Sequence, residues 1–247
     1  MTNLTILTNN IIQWTNTNKI KFESNSDKII ECFRCVIKCW KDSNQESFEH
    51  STDIKCMKHR DKNYLKNDLD IRIIVKIFMY SYCLEDLEEA FEYISKNFID
   101  LTFATVILNV PKDNEKHVDI SLLLPLWNFL SSKISQHKIW RLGIADLNLA
   151  QLKEFTKAVT VLPSINQQSC SVACSVIPEL KDFANHHGIE LLSHNDDNHV
   201  VSPEKLNVML NSELPFNCWT PKWVVKCSKI YESRSVIKSL EYAISVK

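Results

Sequence analysis

Several groups of side chains in this 247-residue chain have types and spacing suited to chemistry. Cys32, Cys35 and Cys39 stand at i, i+3 and i+7. Thiolates so spaced can hold zinc, with Cys56 or His59 as a further donor. The same spacing also makes one stripe along a helix, and cysteine is among the most buried residue types. Without a second C-x2-C pair, the buried stripe is the expected reading. His186, His187, His194 and His199 gather late in the chain. The first two end a predicted helix, where positive charge suits the helix dipole. His194 falls at a strand end, where it either lines a pocket or is a satisfied polar residue at the rim; the rim reading is preferred. Cys170 and Cys174 flank a loop that leads into a helix, a setting that lowers thiol pKa values. The functional reading is a redox-sensitive or partner-contacting thiol, and the simpler one is a small residue packed under the loop. Trp219 and Trp223 lie four apart and read as core contacts of a helix, with a partner surface as the alternative.

Composition limits what this chemistry serves. The chain is 45% hydrophobic and 24% charged, with a formal net charge of −1. That charge supplies no field for nucleic acid or an anionic membrane, so neither is expected as a partner. No run approaches the roughly 18 apolar residues of a membrane span. The opening MTNLTILTNNIIQW has no basic region and no small-residue cleavage site, so a secretory signal is not expected. Nine cysteines without such a signal read as free thiols in a reducing compartment, and the expected location is cytoplasmic.

The elements that would position these groups alternate between strand and helix from about residue 71 onward. Residues 1–22 read as a strand or hairpin. A helix is predicted over Asp27–Lys41 from Ile29, Ile30, Phe33, Val36, Ile37 and Trp40. The pattern over 42–68 does not decide. Ile71–Tyr80 is a strand rich in β-branched and aromatic residues. Leu84–Phe98 is an amphipathic helix, Phe103–Val110 a buried strand, and Ser121–His137 a helix with Pro125 near its start. Lys138–Leu142 is a strand stopped by Gly143, and Asp146 caps the helix that follows. Val159–Leu162 begins a strand running towards Ile165. Pro178–His187 is a helix closed by Gly188, and Ile189–Ser193 is a strand. Ser202-Pro203 and Thr220-Pro221 have the form of helix starts, giving helices near 203–212 and 221–230. Val236–Ser239 is a last short strand. Repeated β-α steps imply parallel strands, and ligands meet the carboxyl ends of such strands. Those ends carry Ala145-Asp146, Asn166-Gln167 and His194-Asn195-Asp196. A single (β/α)8 TIM barrel over 1–247 fits the alternation and the length. An open doubly wound sheet is second, because no G-x-G-x-x-G follows a strand.

Arg141–Leu147 (RLGIADL), Gln151-Leu152 and Pro163–Gln167 (PSINQ) resemble the I-G-V-S-N…Q-L…P…N-Q segment of aldo-keto reductases, NADPH-dependent (β/α)8 barrels. Lys76 matches the position of their catalytic lysine, and Val236–Ser239 resembles their late segment around the cofactor phosphate. The departures concern the chemistry itself. Asn109 stands where those enzymes carry a catalytic histidine. Their tyrosine and aspartate have no placed counterpart, and Ala145-Asp146 replaces the Ser-Asn pair that holds the nicotinamide amide. Without the tyrosine, nothing protonates a carbonyl oxygen as hydride arrives.

One branch of that superfamily has these losses together: the regulatory (modifier) subunits of glutamate–cysteine ligase. Asn166-Gln167, Cys174, Pro178, Leu180 and the run Gly188–Asp196 (GIELLSHND) resemble it. So does the tail from Trp223 through Ser233-Arg234 and Val236–Ser239 to Tyr242. The resemblance covers about residues 70–247. Ala173 replaces one cysteine of an adjacent pair often seen in that family.

The resemblance implies an aldo-keto-reductase-like barrel with no catalytic residues and no cofactor, leaving Asn166, Gln167 and Lys76 as vestiges of a cofactor site. It implies heterodimer formation with the ligase catalytic subunit, better substrate use, and relief of glutathione feedback inhibition. The docking surface is expected within 170–242, through Cys174, Trp223, Arg234 and Lys238. The rival is an NADPH-dependent aldo-keto reductase with an altered site built on Lys76, Asn109 and His194. A third reading is a barrel scaffold for some other partner.

Overall fold

The computed structural model describes residues 3–8, 10–18, 22–43, 53–55, 71–97, 104–113, 117–170, 178–197, 200–215, 218–234 and 236–247. Among them the chain is α/β, with seven α-helices and nine strands whose pairings are mostly parallel. It divides into two compact units, Ile74–Asp196 and Met1–Ile73 with Asp197–Lys247.

The unit Ile74–Asp196 is a run of strand-helix steps. It holds most of β3 (Ile71–Met79), then α3 (Leu84–Asn97), β4 (Ala104–Asn109), α4 (Ile120–Ser135) and β5 (Arg141–Ala145). α5 (Leu149–Ala158), β6 (Ile165–Ser169), α6 (Pro178–His186) and β7 (Glu190–His194) follow. The strands neighbour one another in the order β3-β4-β5-β6-β7. The pairings β4–β5, β5–β6 and β6–β7 are parallel, so their carboxyl ends share one edge. The helices turn one apolar face inward: α3 buries Leu87, Ala90, Phe91 and Ile94. Trp127 on α4 is fully buried, donates its indole N–H to the Val161 carbonyl at 2.8 Å, and meets Phe155 of α5 edge-on at 5.0 Å.

Gly143 lies inside β5 rather than stopping it. A Cβ there would stand 3.0 Å from Ile165 Cβ and 3.2 Å from the Ile165 carbonyl oxygen. This glycine therefore permits the close approach of β5 and β6. Gly188 has φ +66°, the left-handed conformation expected of a helix terminator.

The other unit holds β1 (Leu4–Leu7), α1 (Ile11–Asn18), α2 (Asn25–Ser43), β2 (Asp53–Lys55), α7 (Pro203–Glu213), β8 (Pro221–Tyr231) and β9 (Val236–Val246). Its strands run β2-β1-β9-β8, with β1–β2 parallel and β1–β9 and β8–β9 antiparallel. α2 buries Ile29, Ile30, Phe33, Val36 and Ile37, the face its periodicity marked. α7 starts with Pro203 after the Ser202 cap, as read from the sequence. Lys205 pairs with Asp27 at 2.6 Å and Lys41 with Glu213 at 3.2 Å, linking α2 to α7.

Five further expectations about the elements are corrected. Residues 221–230 are strand, not helix: Trp223, Val224, Val225 and Cys227 are buried and the segment pairs with β9 along its length, and this outweighs the proline start signal. The last strand is eleven residues long because β8 gives Val236–Val246 a partner along its length. Of the strand or hairpin expected within 1–22, the strand is present as β1, and α1 follows it where a hairpin would have a second strand. Asn10 makes that switch: its Oδ1 accepts from the N–H groups of Ile12 and Leu240, and its Nδ2 donates to the Lys238 carbonyl. The strand expected from Val159 begins only at Ile165, which pairs with Gly143. Pro125, expected near the start of its helix where a missing N–H does little harm, is the sixth residue of α4 and lies inside it.

Candidate functional site

Polar residues at the carboxyl ends of β5, β6 and β7, with Lys76 of β3 and Lys112 just beyond β4, form one connected cluster. It begins where β5 ends. Asp146 has φ +60°, a conformation that aspartate tolerates better than most residues. Its backbone N–H donates to the Gln167 carbonyl at 2.8 Å, which holds the turn against β6. The Asp146 side chain does not cap the next helix, contrary to expectation. Asn148 does that: its side chain accepts from the Gln151 N–H at 3.0 Å, and Gln151 returns the bond in a capping box.

Freed from capping, the Asp146 carboxylate takes three partners. Oδ1 accepts from His194 Nε2 at 3.0 Å and from the Ser169 N–H at 2.9 Å. Oδ2 pairs with Lys112 Nζ at 2.8 Å. Burial pushes this carboxyl upward, but the His194 hydrogen bond and the Lys112 ammonium together outweigh it. They hold Asp146 well below the usual carboxylate range. The Asp196 N–H donates to His194 Nδ1 at 3.2 Å. That bond assigns the hydrogen to Nε2 and directs it at Asp146. Asp196 Oδ2 in turn pairs with Lys76 Nζ at 2.8 Å. Lys76 is only 3% exposed, and its ammonium also lies 5.0 Å from the centre of the Phe78 ring. The result is a chain Lys112–Asp146–His194–Asp196–Lys76, in which two ammonium groups face two carboxylates across a histidine.

A second layer lies beneath. Asn166 is fully buried; its Nδ2 donates to the Leu147 carbonyl at 2.8 Å and its Oδ1 accepts from the Leu147 N–H at 3.3 Å. Gln168 Nε2 donates to the same carbonyl at 2.8 Å. Two β6 side chains thus satisfy the backbone of the β5–α5 turn, which would otherwise be buried without partners. Gln167 points differently, and its Oε1 is buried without a hydrogen-bond partner among the described residues.

These commitments decide what the cluster can do. A nicotinamide amide needs a side-chain amide with free groups, and both polar groups of Asn166 are bonded to Leu147. The Lys76 ammonium is buried and paired with Asp196 at 2.8 Å. Asn109 ends β4 half-buried and has no ionisable proton to give. Asn166 and Lys76 are thus committed to groups within the protein, and the cluster reads as a polar lock on the strand ends.

No protein-family model matches the chain. It is similar to glutamate–cysteine ligase regulatory subunits. The regulatory subunit of Homo sapiens is 23% identical over 260 residues, covering 99% of this chain and 92% of that protein. That of Mus musculus is 23% identical over 253 residues, with the same coverage. The match to the subunit of Bos taurus is 29% identical over 147 residues and spans about half of that protein, 54%, and 58% of this chain.

The residues expected at a docking surface are placed unevenly. Trp223 is fully buried in β8, inside the core of its unit. Arg234 and Lys238 are exposed near the turn of the β8–β9 hairpin. Cys174 lies outside the described residues, as do Cys56, His59 and His199. Cys170 is a free, half-buried thiol. His187 stacks on Phe183 at 4.1 Å and lies beside His186, as neighbours at a helix end do.

The cysteine stripe on α2 is corrected in one respect. Cys39 is disulfide-bonded, whereas Cys32 and Cys35 are free. A half-cystine cannot ligate as a thiolate, and burial pushes the Cys32 thiol up to about 12 and raises Cys35. Spacing along the chain cannot reveal which sulfur meets another in space, so the expectation of thiols throughout failed at Cys39. Among the described residues, no three His, Cys, Asp or Glu side chains are placed to hold a metal ion. No helix among them is long and apolar enough to cross a membrane.

Sequence reasoning located the cluster through its strand-end rule but missed Lys112 and Gln168. Lys112 follows Asn109-Val110-Pro111 just beyond β4, so the same rule could have found it.

Proposed function

We propose that this chain is a non-catalytic, cytoplasmic regulatory subunit of glutamate–cysteine ligase, working as a heterodimer with the catalytic subunit. The observation that carries the reading is similarity along 99% of the chain to proteins named as that subunit. The strand-end cluster supports it, because its ionisable groups are committed to one another rather than to a substrate. The α/β alternation supports the finer placement of residues 1–247 in one aldo-keto-reductase-like (β/α)8 barrel domain, which an experimental structure would test.

The role is allosteric. A subunit that binds the active conformation of its partner more tightly shifts the partner's population by that difference, typically ~1–3 kcal/mol. The expected outcome is better use of substrates by the catalytic subunit and weaker inhibition by glutathione. Docking runs through the exposed Arg234 and Lys238, with Trp223 supporting the strand from inside.

The test mixes the purified chain with the ligase catalytic subunit of the same organism. Complex formation is read by size-exclusion chromatography, and glutamate KM and glutathione inhibition are then compared with and without the chain. A lowered KM and weakened inhibition are expected. Failure to form a complex, or carbonyl reduction by the chain alone with NADPH, would overturn the reading.

A further inference from the structure

The end of the β8–β9 hairpin is apolar on both faces and cationic at its margin. Ile230 pairs across the strands with Ile237, and Tyr231 with Val236. Adjacent residues on a strand point to opposite faces, so each face of the tip carries one of these pairs. Val236 is 54% exposed and Ile237 44%. Lys238 is the extra residue where the register slips between Lys229–Ser239 and Ile230–Ile237, a β-bulge. Its ammonium lies 4.9 Å from the centre of the Tyr231 ring. Arg234 is exposed and makes no ion pair among the described residues. β1 pairs with β9 only from Ala243 to Val246, and the Asn10 side chain takes over at Leu240 and Lys238. The tip therefore runs past the part of β9 that β1 covers.

We propose that this tip is the docking finger of the chain. Val236 and Ile237 enter an apolar cleft on the partner, and Arg234 and Lys238 meet an acidic rim around it. The occupant is the ligase catalytic subunit, so the proposal rests on the reading above. Two β-branched side chains on opposite faces of a thin ribbon suit a cleft better than a flat patch. The two cations call for carboxylates at its mouth.

The experiment measures Kd between the full chain and the catalytic subunit by biolayer interferometry, at low and high salt. Val236→Asp with Ile237→Asp is expected to weaken binding at least about tenfold. Arg234→Glu with Lys238→Glu is expected to weaken it at low salt, with the gap narrowing as salt rises. Val208→Asp, at a residue 71% exposed on α7, is expected to bind like the unaltered chain. Circular dichroism checks the fold of each variant. If the aspartate pair does not fold, the glutamate pair, at two exposed positions, decides alone. Folded tip variants with unchanged Kd would overturn the finger and leave the regulatory reading standing. No binding by the unaltered chain would remove both. Concentration-dependent self-association that the tip variants abolish would overturn the proposal in favour of a second copy as occupant.

Discussion

His194 Nε2 stands 3.0 Å from Asp146 Oδ1, joining the end of β7 to the turn after β5 across the intervening strand β6. Lys112 holds the other carboxylate oxygen at 2.8 Å, so the turn is fixed from two sides. The bond needs Asp146 to be ionised, and this gives it a pH dependence of known sign.

Asp146 titrates well below its unfolded value of about 3.9, so its contribution to stability is complete above about pH 5. It declines as pH falls through 4 towards the folded value. Asp146→Asn keeps the tolerance for positive φ and removes the charge. The substitution should cost roughly 3 kcal/mol at pH 7, because it strips a partner from a mostly buried ion pair. Urea denaturation at pH 7 and near pH 3 should show the cost shrinking at the lower pH. An equal cost at both would mean that the charge is not what holds the turn.

The two glycines should respond differently to the same substitutions. Gly143→Ala places a methyl against Ile165 and should cost about 1–3 kcal/mol as overpacking. Gly188 has no atom within 4 Å of a built Cβ, so Ala there meets only the positive φ, at about 1 kcal/mol. Asparagine separates the causes: it should be milder than Ala at 188 and worse than Ala at 143. Thermal midpoints of the four variants give the comparison. The same order at both positions would contradict the assignment.

The sequence revealed most where a pattern repeats. Apolar spacing located α2 and α3, and a serine-proline pair located the start of α7, because these signals are local. Strand-end logic places Asp146, Asn166, His194 and Asp196 in one region from the sequence alone. It failed where a local signal competed with packing. Thr220-Pro221 has the chemistry of a helix start, yet Trp223, Val224 and Val225 pair with Ser245, Ile244 and Ala243 of β9, beyond the reach of a local signal. Asp146 has the chemistry of a cap, yet Asn148 two residues later takes that position, and only the positive φ at 146 turns the carboxylate towards His194. Gly143 reads as a stop because strands seldom contain glycine. Only the position of Ile165 explains its presence.

Thiol reactivity should follow burial. Burial pushes the Cys32 and Cys227 thiols up to about 12, so both stay protonated and unreactive at pH 8. Cys218 is exposed. Brief alkylation with iodoacetamide, mapped by peptide mass spectrometry, should label Cys218 first and leave Cys32 and Cys227 unlabelled until urea unfolds the chain. Early labelling of Cys227 would show that the β8–β9 hairpin opens on the timescale of the reaction.

Lys76 and Asp196 offer the sharpest test of whether the cluster is a lock. Both side chains are nearly buried, and their ion pair measures 2.8 Å. Removing one partner leaves a charge in a poor solvent, so Lys76→Met and Asp196→Asn should each cost about 3–5 kcal/mol. The double variant has no stranded charge, and methionine fills the space of the lysine stem beside Phe78. Its cost should therefore fall short of the sum by up to about 3 kcal/mol, the coupling expected of residues in direct contact. Urea denaturation of the four proteins at pH 7 measures the cycle. Additive costs would mean that Lys76 and Asp196 are held by their separate surroundings, and the chain of charges from Lys112 to Lys76 would then break at its last link.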